Sequence, residues 1–153
     1  MDYEQKLKNY MQEHKIDGEH LSFKQSCHSV EEAARAANAN VTDFVKNICM
    51  IDSSGNLIVA IVKGEDRAST DRVSKALSAE RPRTANFDEM LEKTGYPCGG
   101  IPSFGYNAIF LIDPRVMEKD SIYTSGGSEN SLVKISPKEL QRANNGQITR
   151  VRK

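Results

Sequence analysis

The chain has 153 residues, 38% hydrophobic and 27% charged, the profile of an ordinary globular domain. A chain of this size buries roughly 70% of its unfolded surface, enough for a core without metal or disulfide staples. Lys plus Arg balance Asp plus Glu at 21 each, which argues against bulk electrostatic binding of nucleic acid, and no apolar run nears the about 20 residues of a membrane span.

Tyr3, Leu7, Tyr10 and Met11 recur at helical spacing, so residues 2–15 read as an amphipathic helix ended at Asp17-Gly18. This polar start lacks the apolar core of a signal peptide. Residues 21–25 alternate like a short strand. Ser29 and Glu32 have capping-box spacing, and the alanine-rich helix they open closes near Asn38. Residues 45–51 and 57–62 flank the turn-rich segment Asp52–Asn56 and predict a hairpin. The second run is apolar throughout, as in a central strand covered on both faces. Helices follow at 69–78 and from Asn86 to a C-cap at Gly95. Strands are expected at 108–112, 121–124 and 132–135, then a helix from Ser136-Pro137 to about Asn144 and a last strand at 147–151. The basic, acid-free stretch 141–153 reads as a solvated terminus in preference to a phosphate contact. Strands and helices alternate without repeats or linkers, which predicts one mixed α/β (α+β) domain over residues 1–153.

Residues 94–107, TGYPCGGIPSFGYN, hold four of the ten glycines and two of the five prolines. A loop so shaped, feeding an apolar strand, is a natural place for a binding site. Ser125-Gly126-Gly127-Ser128 is a second glycine segment; its amides could form an anion nest, but on this motif alone a plain turn between strands 121–124 and 132–135 is the preferred reading. Lys46 shares a strand face with Ile48 and Met50. Position alone favours an exposed strand end for it, since a buried ammonium needs a partner. Cys27, Cys49 and Cys98 are far apart and form no CxxC, so a zinc site is not expected and reduced thiols in the cytosol are. Cys98 beside two glycines could serve as a nucleophile only with a base, and the three histidines all lie near the N-terminus. No GxGxxG or Walker motif is present.

Five segments in order resemble a known family: HSVEEAARAAN (28–38), FVKNICMID (44–52), LIVAIVKGEDRASTDRVSKAL (57–77), RTANFDEMLEKTGYPCGGIPSFG (83–105) and IYTSGGSENSLVKISPKEL (122–140). Together, over about residues 20–142, they are similar to the YbaK/prolyl-tRNA-synthetase insertion family of aminoacyl-tRNA editing domains. The resemblance implies a mixed β-sheet curled into a partly open barrel and flanked by helices. It implies a cytoplasmic deacylase acting in trans on mischarged tRNA, commonly tRNA for proline carrying cysteine or alanine, without a cofactor. The implied partners are the 3′ end of the aminoacyl-tRNA and, in addition, prolyl-tRNA synthetase.

Residue by residue, the resemblance makes Lys46 the holder of the terminal adenosine or its phosphate, which replaces the exposed reading. Gly99 and Gly100 match the loop whose backbone faces the ester, followed by Ile101, Pro102 and Ser103 along the pocket. Ser125, Gly126 and Gly127 match the second pocket loop. The chain departs from the family pattern at Ser103, where proline is usual; Pro102 precedes it. The implied catalysis is positioning, with backbone donors at the developing oxyanion and the substrate's own hydroxyl or thiol assisting. The alternative is a non-catalytic module that binds an aminoacyl or nucleotide end.

Overall fold

Helix caps and alternating apolar runs set the order of elements in the computed structural model, which describes residues 1–153. Helix α1 (Tyr3–Glu13) leads to strand β1 (Gly18–Ser22) and helix α2 (Val30–Ala37). A hairpin follows, β2 (Val45–Ile51) and β3 (Leu57–Lys63), then α3 (Thr70–Leu77), the short β4 (Arg83–Thr84) and α4 (Phe87–Thr94). Strands β5 (Ile109–Ile112), β6 (Ile122–Ser125) and β7 (Ser131–Ile135) precede α5 (Pro137–Asn144) and β8 (Gln147–Ile148).

The helices start where side-chain oxygens replace missing partners for the first amides. Ser29, Ser69, Asn86 and Ser136 each accept from the amide three residues on. At Asn86 the reciprocal bond from Glu89 completes a capping box. At Ser29 the expected box is only half made, because Glu32 meets the Ser29 hydroxyl rather than its amide. Asn38 and Gly95 close their helices in the left-handed conformation.

β3 is buried at every residue and forms the centre of a five-stranded sheet in the order β4-β2-β3-β5-β8. It pairs antiparallel with β2, from Val45 opposite Lys63 to Ile51 opposite Leu57, and parallel with β5. One face of β3 (Val59, Ile61) joins the main core with Cys49, Tyr96, Phe104, Val133 and Leu140. The other face (Ile58, Ala60, Val62) packs on Val73 of α3, with Leu111 and Val151. The remaining strands form a three-stranded antiparallel sheet, β1-β7-β6. Helix α2 lies on this edge, its small Ala33 and Ala34 against Phe44 and Leu132.

The mixed α/β class holds as expected. The strands divide into two sheets rather than one partly open barrel, because β6 takes β7 as its ladder partner and meets the larger sheet only by the isolated bridge of Phe44 to Tyr123 and by side-chain contacts. Two strands depart from the sequence reading by more than one residue, and the short β4 is absent from it. β1 spans Gly18–Ser22, not 21–25, since Phe23 leaves the ladder to bond Asn130. The last strand stops at Ile148, because the amides of Val151 and Arg152 turn to the buried carboxylate of Asp113.

Candidate functional site

A cavity of about 190 Å³ opens between β2, the first turn of α2, the glycine loop, α4 and β6. Strand alternation divides what β2 offers to it. Lys46 stands on the Ile48 face and Asn47 on the Val45–Cys49 face, and both line the cavity near the strand's start. Lys46 is half-buried rather than exposed, and no side chain or carbonyl of the protein bonds its ammonium. A cation in this position is free to meet an anionic or polar ligand.

The glycine loop gives the cavity Cys98, Gly99 and Ile101. Gly99 takes φ +88°, open to glycine without strain. The amide of Gly100 donates to the Pro97 carbonyl at 2.9 Å, while the amides of Gly99 and Ile101 have no partner in the protein. Two unpaired donors on one turn can hold an oxyanion.

Gly100 itself faces away, onto the second glycine segment. Its carbonyl accepts from the Gly127 amide at 2.9 Å. A β-carbon at Gly100 would lie 2.6 Å from the Gly127 carbonyl carbon, so the two backbones touch only because residue 100 has no side chain. In the second segment the amides are consumed internally: Gly126 bonds the Ser131 carbonyl at 3.0 Å, and Ser128 bonds the Ser131 hydroxyl at 3.1 Å. The anion nest considered for this segment is therefore closed, and of its residues Ser125 reaches the cavity.

Behind the wall lies a polar network. Ser103 is fully buried. Its hydroxyl donates to Asn47 Oδ1 at 2.7 Å and contacts Thr124 Oγ1 at 2.8 Å. The Asn47 amide donates to Thr124 Oγ1 at 2.9 Å and to the Ile101 carbonyl at 3.0 Å. Helix α5 adds Asn144, which donates to the Ser103 carbonyl at 2.9 Å, and Tyr106 donates to the Pro102 carbonyl at 2.6 Å. Serine at 103 thus supplies the donor that Asn47 Oδ1 needs; a proline there could not. Pro102 and Ser103 buttress the loop and do not line the cavity.

Of the residues singled out from sequence, the cavity brings together Lys46, Gly99, Ile101 and Ser125, and leaves Gly100, Pro102, Ser103, Gly126 and Gly127 in the layer behind. Sequence reasoning missed His28, Asn47, Tyr123 and Thr124, which also line it. His28 arrives from the turn before α2, with Nδ1 3.4 Å from Glu129 Oε1. Both side chains are about half exposed, 56% and 55%. Cys27 and Cys98 complete the rim. Burial, then the nearby Glu32 carboxylate, pushes the Cys27 thiol up. Cys49 lies deeper, its thiol pushed up to about 12 by burial and then by Cys98. No hydrogen bond joins Cys98 to a base, the arrangement that would mark it as an activated nucleophile.

The fold and cavity define a mixed α/β domain with a small open cavity between a strand lysine and a glycine turn. The chain belongs to the family of the aminoacyl-tRNA editing domain, whose sequence profile matches residues 24–143. It is 26% identical over 120 residues to the uncharacterized protein YwhH of Bacillus subtilis, covering 77% of this chain and 76% of that one. The crystal structure of a hypothetical protein, 25% identical, superposes with a TM-score of 0.89 over 97% of this chain and 99% of the other. A candidate trans-editing enzyme for prolyl-tRNA synthetase, 21% identical, shares the fold with a TM-score of 0.92 over 100% of this chain and 98% of its own.

Proposed function

We propose that this protein is a deacylase that acts in trans on mischarged tRNA, hydrolysing the ester of cysteine or alanine on tRNA for proline. One observation carries the reading: an uncommitted ammonium, Lys46, and two unpaired amides, Gly99 and Ile101, meet at one small cavity. Lys46 holds the terminal adenosine or its phosphate. The two amides receive the charge that develops on the ester oxygen as water adds. The neighbouring ribose hydroxyl orients that water, and the enzyme's contribution is chiefly position. A cavity of about 190 Å³ suits a small acyl group. Small apolar groups differ by only about 1–3 kcal/mol in a synthetase pocket, which creates the need for a second, hydrolytic site. Gly100, Gly126 and Gly127 keep the two loops in contact, and Pro102 and Ser103 fix the wall from behind.

The test is a deacylation panel of alanyl- and cysteinyl-tRNA for proline beside cognate aminoacyl-tRNAs. Hydrolysis of one or both mischarged species well above the buffer rate is expected, and buffer rates across the panel sink the proposal. The absence of a hydrogen-bonded nucleophile and base at Cys98 leaves one competitor, a module that binds an aminoacylated end without turnover. Saturable tRNA binding with no hydrolysis is its signature.

A further inference from the structure

We propose that His28 is a second catalytic residue of this site, taking the proton from the attacking water, with Glu129 as its positioning partner. The inference rests on the deacylase reading above. Three observations carry it. First, the His28 ring lines the cavity, and its Nδ1 lies 3.4 Å from Glu129 Oε1. With Nδ1 turned toward this carboxylate, Nε2, which has no protein partner, is the nitrogen left to face the water. Second, the pair rests on the bare α-carbon of Gly99. A β-carbon at residue 99 would lie 2.8 Å from His28 Nδ1 and 3.1 Å from Glu129 Cγ. The imidazole therefore lies beside the turn that carries the two unpaired amides. Third, the two side chains are exposed at the cavity rim, while the backbone that carries them is tied down. The Cys27 amide donates to the Glu129 carbonyl, Phe23 to that of Asn130 at 2.8 Å, and the Asn130 side chain returns to the Lys24 carbonyl at 3.3 Å.

The step balances without a further reactant. Nε2 removes a proton from water as the water oxygen bonds the carbonyl carbon. When the tetrahedral adduct collapses, the carbon–oxygen bond to the ribose breaks and the proton passes from His28 to the ribose oxygen. Free amino acid and tRNA leave, and the imidazole is neutral again. Positioned base catalysis of this kind contributes about 10²–10⁴-fold.

The experiment measures kcat and KM of H28A, H28N, E129Q and the H28A/E129Q pair on the best substrate of the panel. Expected is a loss of about 10²-fold or more in kcat for both His28 variants with little change in KM. Added imidazole restores part of the H28A rate. E129Q shows a smaller loss, and the pair is no slower than H28A alone because Glu129 acts through His28. A wild-type kcat in H28N, or a loss confined to KM with no imidazole rescue, overturns the proposal. An active wild type with indifferent His28 variants sinks this inference alone; a wild type inactive on every substrate removes the deacylase reading and this inference with it.

Discussion

Gly100 carries the strictest steric demand near the cavity. In G100A the new methyl would meet main-chain atoms of Gly127 and Ser128 at 2.6–2.7 Å, and backbone cannot turn aside as a flexible side chain can. The expected cost is about 1–3 kcal/mol of stability, read from urea unfolding, with a loss of deacylation as the two loops part. Lys46 presents the opposite case. It makes no bond within the protein, so K46A is expected to unfold at the wild-type temperature while deacylation falls by about 10²-fold or more. Wild-type turnover in K46A would remove the lysine from the mechanism. The importance of both residues was visible in the sequence, but their roles were not equally so. A strand lysine next to an apolar run announces a choice between two faces. A glycine that exists to let another backbone approach announces nothing until its neighbour, 27 positions on, is known. His28 was hidden for the same reason, since it meets Glu129 and Gly99 only after folding.

At the scale of elements, the local code was legible and the pairing was not. The β2–β3 hairpin follows from two β-rich runs and from Asp52, whose Oδ1 accepts the amides of Ser54 at 2.9 Å and Asn56 at 2.8 Å. Helix starts followed from Ser29, Ser69, Asn86 and Ser136 for an equally local reason. The parallel pairing of β3 with β5, and the division into two sheets, depend on partners far apart in sequence, and alternation does not specify them. The network that ties β2, the glycine loop and β6 together is the functional consequence of that pairing. Asn47 reaches partners 54 and 77 residues away. In N47A the Ile101 carbonyl loses its side-chain donor, and the buried Ser103 and Thr124 hydroxyls keep only each other. Such a loss costs about 1–3 kcal/mol. S103A removes the donor to Asn47 from the other side, so the two substitutions share one network and their costs are expected to add to less than their sum. Strict additivity of the two unfolding energies would mean that Asn47 and Ser103 act independently.

For the whole molecule, stability should form a plateau bounded by two sets of ionisations. On the acid side, the Arg83 guanidinium, bonded to both carboxylate oxygens at 2.8 and 2.7 Å, holds Glu89 down at about 2. The Asn56 amides lower Asp52 and the Arg142 guanidinium lowers Glu139. In the unfolded chain these carboxyls titrate near 4. The folded state therefore binds fewer protons, and stability is present above that range and lost as pH falls toward 2. These groups are near the surface, so added salt should shallow the acid limb. On the alkaline side, the sign reverses. Burial raises Cys49 to about 12 and also raises Cys27, against 9.0 for an ordinary thiol. The folded state then holds protons that the unfolded chain releases, so stability is complete below 9 and declines above it. Tyr96, raised to about 12 from 10.0, adds to the decline only from its own higher starting point. The interval between pH 9 and 10 accordingly reports on thiols. Thermal unfolding followed by circular dichroism should show a falling midpoint across that interval in the wild type. C49A should remove the larger share of the fall, because Cys49 is the deeper of the two at 1% exposed against 8% for Cys27. The C27A/C49A variant should be nearly flat there, whatever its stability at neutral pH. A decline in that double variant as steep as in the wild type would show that the buried thiols do not set the alkaline limit.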